Sequence, residues 1–408
     1  MSFSKLTIRD VPVHNKVVLV RVDYNVPLKN GAISDDLRIR ASIPTVRYLQ
    51  EQGAIVVIMS HLGRPDGKVD PALSLEPVAR HLEELMACPV QFIDTCYGDK
   101  VRQAVKSAKS GEIIMLENLR FHAEEEANDE QFARRIAKDS TARYLVQDGF
   151  GVVHRSHAST EAITHFLPGV AGLLLKREVV ELLHTMEDPA RPLYAVMGGA
   201  KVSDKIQVIE AFVRVADKII IGGAMANTFL AYKGFTMGRS KVEDGQHETL
   251  DAIYAAARKK VGDDHVDEFI CLPVDVAVCE EISPTAVRRN RKVADVQANE
   301  IAADIGDLTI ERYTQLLVKA KTVVWNGTMG LAEMPEFAHG SARVALALAS
   351  DPDKTSVIGG GDTADFSLKW DGHDGVSFTH VSTGGGAGLD LMAGKKLPGV
   401  EALLDARK

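Results

Sequence analysis

Short apolar runs alternate with segments of helical period along almost the whole chain, and this alternation restricts the fold more than any other feature. The runs 17–22, 55–59, 90–93, 113–116 and 144–146 read as strands. Between them, 37–52, 75–86, 100–108 and 128–138 carry apolar residues at helical spacing. Strand and helix in strict alternation predict a parallel sheet covered on both faces.

The segment 172–186 reads as one long helix, halted by Pro189 and Pro192. The pattern then restarts, with strands expected at 193–197, 218–221, 269–272, 322–325, 356–358 and 378–381. Helices are expected at about 202–213, 224–232, 248–261, 308–318 and 341–349, and after Asp362. The charged stretch 281–304 reads as an irregular surface excursion. The expected fold is therefore α/β: two doubly wound, Rossmann-like parallel-sheet domains joined by a long helix and hinge. A chain of 408 residues accommodates two such domains.

Composition removes several classes of function. A net charge of −8 argues against a general nucleic-acid binder. Residues 1–10 have no apolar core and include Lys5, Arg9 and Asp10, so no signal peptide is expected. No run approaches the ~20 apolar residues of a membrane span. The cysteines, Cys88, Cys96, Cys271 and Cys279, form no C-x-x-C pair. They read as reduced thiols of a cytoplasmic protein, and no zinc site is expected.

In open α/β sheets, ligands bind beyond the carboxyl ends of the strands. The first half places Arg21, Arg64, Arg120 and Arg155 after separate strands, with Arg38 near the start of a helix and His61 and His154 alongside. Arginine binds carboxylate and phosphate through two parallel hydrogen bonds, so this set reads as a basic bowl for a small polyanion. No H-x-x-x-H or H-E-x-x-H pattern supports a metal site. His61, His154 and His157 read as hydrogen-bond donors or as satisfied structural histidines.

The second half carries glycines at its strand ends: Gly198-Gly199, Gly222-Gly223, Asn326-Gly327, Gly359-Gly360-Gly361 and Gly384-Gly385-Gly386. Bare backbone at helix starts suits a nucleotide and its phosphates. Lys201 and Lys205, four residues apart, would lie on one face of a helix's first turn. Asp362 reads either as a Mg²⁺ ligand or as a helix N-cap. There is no G-x-x-x-x-G-K-[ST] loop and no protein-kinase motif set. Gly384–Gly388 leaves too little chain for the βαβ unit of a dinucleotide-binding dehydrogenase.

Seven strings in order complete the picture: RVDYNVP from Arg21, SHLGRP from Ser60, LENLRF from Leu116, HRSHAST from His154, GGAKVSDK from Gly198, GGGDT from Gly359 and STGGGA from Ser382. Together they resemble the phosphoglycerate kinase family over essentially the whole chain. The resemblance implies an N-terminal domain (1–172) binding 3-phosphoglycerate or 1,3-bisphosphoglycerate, and an interdomain helix (173–188). It further implies a nucleotide-binding domain (189–392) facing the first across a cleft, and a tail (393–408) folding back onto the N-terminal domain.

It implies contacts to the glycerate substrate from Arg21, Asp23, Asn25, His61, Arg64, Arg120 and Arg155. Arg38 and Lys201 would act on the transferring phosphoryl group. Gly199, Lys201, Lys205, Gly223, Asn326, Glu333, Gly359, Gly360, Gly361, Asp362 and Thr363 would bind nucleotide, and Asp362 would hold Mg²⁺ of MgADP or MgATP. A cytoplasmic monomer with no membrane or nucleic-acid partner is implied as well. The chain departs from the family pattern at Val152-Val153, Thr328, Ala332 and Gly388, which bears on nucleotide affinity and loop packing and not on the reaction. Retention of Arg38, Lys201 and Asp362 favours an active enzyme over a ligand-binding protein that has lost catalysis.

Overall fold

The computed structural model describes residues 3–29, 31–372 and 375–406. The chain forms two compact units, one holding residues up to Val180 together with the chain from Lys395, the other Glu181–Gly394.

The first unit contains strands β1 (Val17–Arg21), β2 (Leu28–Lys29), β3 (Ala32–Ile33), β4 (Ile55–Met59), β5 (Val90–Ile93), β6 (Ile113–Leu116), β7 (Tyr144–Gln147) and β8 (Gly169–Ala171). Six of them make a sheet in the order β5-β6-β4-β1-β7-β8, all parallel. The small antiparallel pair β2–β3 was not expected. Successive strand residues point to opposite faces. Val18, Val20, Val56 and Ile58 share one core with Ile39, Val46, Val78 and Leu82. Leu19, Val57 and Met59 share the other with Val101, Phe132 and Ile136. Both faces are dry, which is why these strands read as unbroken apolar runs.

The second unit contains β9 (Leu193–Met197), β10 (Lys218–Ile221), β11 (Ile270–Cys271), β12 (Asp275–Cys279), β13 (Arg289–Lys292), β14 (Ile301–Ile305), β15 (Thr322–Asn326), β16 (Thr355–Gly359) and β17 (His380–Val381). Its main sheet runs β11-β10-β9-β15-β16-β17. The stretch 281–304 is not an irregular excursion. It contributes β13 and β14, which flank β12 in an antiparallel sheet. Charge hides β13 in the sequence: its Arg289 pairs with Glu280 at 3.3 Å and its Arg291 with Glu300 at 2.9 Å.

The two main sheets share a plan. The chain moves outward from β1 to β4, and from β9 to β10, and then returns to pair β7 and β15 on the other side of the first strand. The carboxyl ends of β1 and β9 therefore lie at the points where the chain changes direction across the sheet, where α/β proteins bind ligands.

Helix Leu173–Glu187 covers the segment expected as one long helix, and the division between the units falls within it. Its first amides are satisfied by side chains: Leu173 N–H donates to Thr45 Oγ1 at 3.0 Å, and those of Leu174 and Leu175 to Asp148 Oδ1 at 3.0 and 3.2 Å. A Cβ at residue 172 would fall 2.0 Å from Asp148 Oδ1, so only glycine fits there. The chain from Lys395 packs on the first unit, where Leu6 N–H donates to Leu404 O and Gly399 N–H to Val153 O. No described helix is long and apolar enough to cross a membrane.

Candidate active site

In the first unit the strand-end residues converge around β1. Arg21 is buried at the carboxyl end of this strand. Its Nε donates to Ser159 Oγ at 2.6 Å, Nη1 donates to Val22 O, and Nη2 lies 3.3 Å from His61 Nδ1 and 3.7 Å from Glu125 Oε1. Glu125 is fully buried and accepts from Ser159 Oγ at 2.5 Å and Ser159 N at 3.0 Å. Glu125 and Ser159 thus fix the guanidinium plane from behind. Neither was picked out in the sequence.

Arg38 stands in the first turn of helix Leu37–Glu51. Its Nη1 donates to Asn25 O at 2.9 Å and lies 3.3 Å from both Asp23 carboxylate oxygens. Asp23 also lies 4.0 Å from His61 Nε2. Asn25 Oδ1 accepts from Gly63 N at 2.9 Å, so this side chain ties down the His61–Arg64 loop. Arg120 donates to Gly63 O at 2.9 Å and pairs with Glu126 at 3.2 Å. Arg155 is exposed, with Nε donating to His154 Nε2 at 3.3 Å. Arg64 is exposed and makes no hydrogen bond or ion pair among the described residues. Contacts therefore link Arg21, Asp23, Asn25, Arg38, His61 and Arg120, while Arg64 stands apart.

The cluster carries an excess of positive charge: Arg21, Arg38 and Arg120 each face a carboxylate, whereas Arg64 and Arg155 form no ion pair among the described residues. Burial, followed by the charges of Arg21, Arg120 and Arg38, holds His61 well below the ordinary imidazole value. Burial and the arginines likewise bring His157 down to about 4. Both rings are neutral near pH 7 and donate or accept hydrogen bonds without adding charge. Such a field suits an incoming polyanion.

In the second unit the site lies between the carboxyl ends of β9 and β15. Lys205 reaches inward, donating to Asn326 Oδ1 at 2.6 Å and Asn326 O at 3.0 Å. Asn326 is buried, and its amide nitrogen has no hydrogen-bond partner among the described residues. Burial pushes the Lys205 ammonium down to about 8, with the charges of Asp362 and Asp204 opposing the shift.

Lys201 and Lys205 do not share a helical face. The helix starts at Ile206, after a 3₁₀ turn over Ser203–Lys205, and Lys201 is exposed in the loop before it. The amides of Val202 and Ser203, where the helix was expected to begin, bond to Glu243.

The glycines divide into two groups. A Cβ on Gly223 would lie 2.6 Å from Gly199 N, and one on Gly198 would lie 2.2 Å from Thr328 O, so these loops pack backbone against backbone. Gly199 N–H donates to Thr328 O and Met225 N–H to Gly199 O, both at 2.9 Å. Thr328 itself donates to Gly330 O at 2.9 Å, so this departure from the family pattern keeps its loop closed. Gly361, by contrast, faces open space. It begins helix Gly361–Asp371 after Gly360 (φ 87°), and a Cβ on Gly359 would lie 3.0 Å from Asn326 Nδ2. Thr363 Oγ1 accepts from Gly327 N at 2.7 Å. Asp362 is exposed and caps nothing, because Gly360 holds the cap position without a side-chain bond. The N-cap reading of Asp362 is thereby removed. Glu333 is exposed in the loop after β15.

The phosphoglycerate kinase family model matches residues 8–395. A phosphoglycerate kinase of Moorella thermoacetica is 47% identical over 405 residues, covering 98% of this chain and 100% of that protein. One from Dictyoglomus turgidum is 44% identical over 400 residues, covering 98% of each. The solved phosphoglycerate kinase structures from Pyrococcus horikoshii and Coxiella burnetii superpose with TM-scores of 0.84 and 0.82, each at 36% identity and 98% coverage of both chains.

Proposed function

The chain belongs to the phosphoglycerate kinase family, and on that premise we propose how its residues divide the work. The reaction is reversible phosphoryl transfer from 1,3-bisphosphoglycerate to ADP, giving 3-phosphoglycerate and ATP. The observation that carries the division is a pair of unlike sites at equivalent places in the two sheets. A guanidinium-lined site at the end of β1 suits a small polyanion, and a lysine-and-glycine site at the end of β9 suits nucleotide phosphates.

Arg21, Arg120 and His61 bind the glycerate substrate, with Asp23 and Asn25 holding Arg38 and the His61–Arg64 loop. Exposed Arg64 and Arg155 complete the anion site as cations not already committed to carboxylates. Lys205, Asn326 and the backbone from Gly359 to Thr363 take the nucleotide phosphates, beside Gly199 and Gly223, and Glu333 takes the ribose.

In the direction of acyl phosphate synthesis the acceptor is a carboxylate, ionised at neutral pH with a pKa near ~4, so no general base is required. The needs are in-line placement and neutralisation of charge on the moving group. Arg38 and Lys201, from separate units, supply cations to that group once the two substrates are brought together.

Mg²⁺ fits Asp362, whose carboxylate is exposed and bonded to no described residue. No cluster of three or more His, Cys, Asp or Glu side chains able to hold a metal is found among the described residues. The ion would therefore enter with the nucleotide, bound through one carboxylate and phosphate oxygens. When bound it neutralises phosphate charge. We place the protein in the cytoplasm as a monomer; its four unpaired cysteines fit a reducing compartment.

The test is acyl phosphate formation from 3-phosphoglycerate and MgATP, trapped with hydroxylamine. Hydroxamate from the wild type and little from Lys201→Ala is the expected result. Folded wild-type protein that binds MgADP and yields no hydroxamate would refute the assignment.

A further inference from the structure

The loop carrying Lys201 and Lys205 is held by a residue far from it in sequence. Glu243 lies between helices Gly223–Tyr232 and His247–Val261. Its Oε2 accepts from Val202 N at 2.7 Å and Ser203 N at 3.1 Å, and its Oε1 accepts from the Ser203 hydroxyl. A phosphate oxygen would bind a free helix start in just this way. Here the chain fills the position with its own anion. Burial opposes ionisation of Glu243, but the bonds from Ser203 and Val202 and the charge of Lys201 outweigh it and keep the carboxyl below its ordinary value.

The Glu243 loop is itself fixed. Glu243 N–H donates to Thr228 Oγ1 at 3.0 Å, and Asn227 Nδ2 donates to Lys241 O at 3.3 Å. Thr228 and Asn227 are buried on helix Gly223–Tyr232. The same helix bonds the near end of the lysine loop directly, through Met225 N–H to Gly199 O. One rigid element therefore grips the loop on both sides of Lys201, at Gly199 directly and at Val202–Ser203 through Glu243. Lys201 is exposed and has no hydrogen bond or ion pair among the described residues. The loop backbone fixes where its side chain begins, and the Glu243 carboxylate acts on its charge without forming an ion pair.

We propose that Glu243 is a positioning residue for the reaction: it clamps the backbone on the far side of Lys201 and so fixes where that side chain leaves the loop, without holding its ammonium in an ion pair. The proposal rests on the role given to Lys201 above. The clamp aligns the transferring group and contributes little to substrate affinity, so its loss falls on kcat.

The test uses the full chain with Glu243→Ala, Glu243→Met and Glu243→Gln. Alanine and methionine remove the acceptor and are expected to lower kcat for acyl phosphate formation by about tenfold or more, with KM for 3-phosphoglycerate within about twofold of wild type. Glutamine keeps one oxygen for the Val202 and Ser203 amides, and its amide nitrogen donates to the Ser203 hydroxyl oxygen, so it restores most of the rate. Hydrogen exchange should show the Val202 and Ser203 amides losing protection in the alanine and methionine variants and keeping it in the glutamine variant. Wild-type kcat in the alanine variant overturns the proposal, whatever its melting temperature. If alanine does not fold, equal rates in the methionine and glutamine variants overturn it. A wild type that forms no acyl phosphate is a separate failure, that of the assigned reaction. The clamp is then judged by amide protection, and unchanged protection in the alanine or methionine variant overturns it.

Discussion

Lys205 Nζ lies 2.6 Å from Asn326 Oδ1, joining the ends of β9 and β15 where the chain changes direction across the sheet. Burial lowers this ammonium to about 8 against the pull of Asp362. Only the protonated form attracts phosphate. MgADP affinity is therefore expected to be flat at lower pH and to weaken as pH rises through about 8. Asp362→Asn removes the charge that favours the ammonium, so the alkaline fall should move to lower pH in addition to any loss of metal. Calorimetric titration with ADP, with and without Mg²⁺, over about pH 6 to 10 checks this. A Lys205→Met variant that still shows the wild-type alkaline fall would place its origin elsewhere.

Gly223 and Gly361 look alike in the sequence and differ in space. Gly223 has φ 63° and its Cβ would strike Gly199 backbone at 2.6 Å, whereas Gly361 has no atom within 4 Å. Gly223→Ala is expected to cost about 2 kcal/mol or more in urea unfolding, from left-handed strain and overpacking. Gly361→Ala should leave stability within about 0.5 kcal/mol and weaken MgADP by roughly tenfold, because the methyl occupies the approach to the helix start. Wild-type MgADP affinity in Gly361→Ala would remove this backbone from the nucleotide site.

The difference between those glycines marks how much of the site was legible. His61, Asn326 and Gly359 could be placed because apolar runs end sharply before them, and Arg21 because it is the one charge inside such a run. Their supports could not. Glu125 meets Ser159 across 34 residues and Glu243 meets Ser203 across 40, and a carboxylate that pairs only through the fold looks like any surface acid. Lys205 reads as sharing a helical face with Lys201, until β15 brings Asn326 to it. Strand β13 was missed for a related reason, since its Arg289 and Arg291 are neutralised by Glu280 and Glu300, which lie outside the strand.

Arg38 and Lys201, the two cations proposed to meet the transferring phosphoryl group, are held differently. Arg38 Nη1 is already oriented by Asn25 O at 2.9 Å and by Asp23 at 3.3 Å, while Lys201 is held through its backbone. Both are expected to act on charge that moves in the transition state, so Arg38→Ala and Lys201→Ala should each lower kcat by about 100-fold or more. Their KM values should change far less. Near-normal kcat with a raised KM in either variant would reassign that residue to ground-state binding.

Asp148 sets a stability expectation at the start of helix Leu173–Glu187. Burial raises its carboxyl to about 7, against hydrogen bonds from Thr45, Leu175 and Leu174, and Glu178 adds to the rise. Its Oδ2 is buried without a hydrogen-bond partner among the described residues. A raised folded-state pKa means that the native state holds this proton over a window in which the unfolded chain has released it. The contribution is fully present below the ordinary carboxyl value of 3.8 and is lost as pH rises toward about 7. Its upper limit is roughly 4 kcal/mol. Asp148→Asn keeps an oxygen for the Leu174 and Leu175 amides and cannot ionise. It should therefore unfold at higher urea than wild type near pH 8, with the order narrowing or reversing near pH 5. A variant less stable at both pH values would mean that the helix amides stabilise the Asp148 charge by more than burial penalises it.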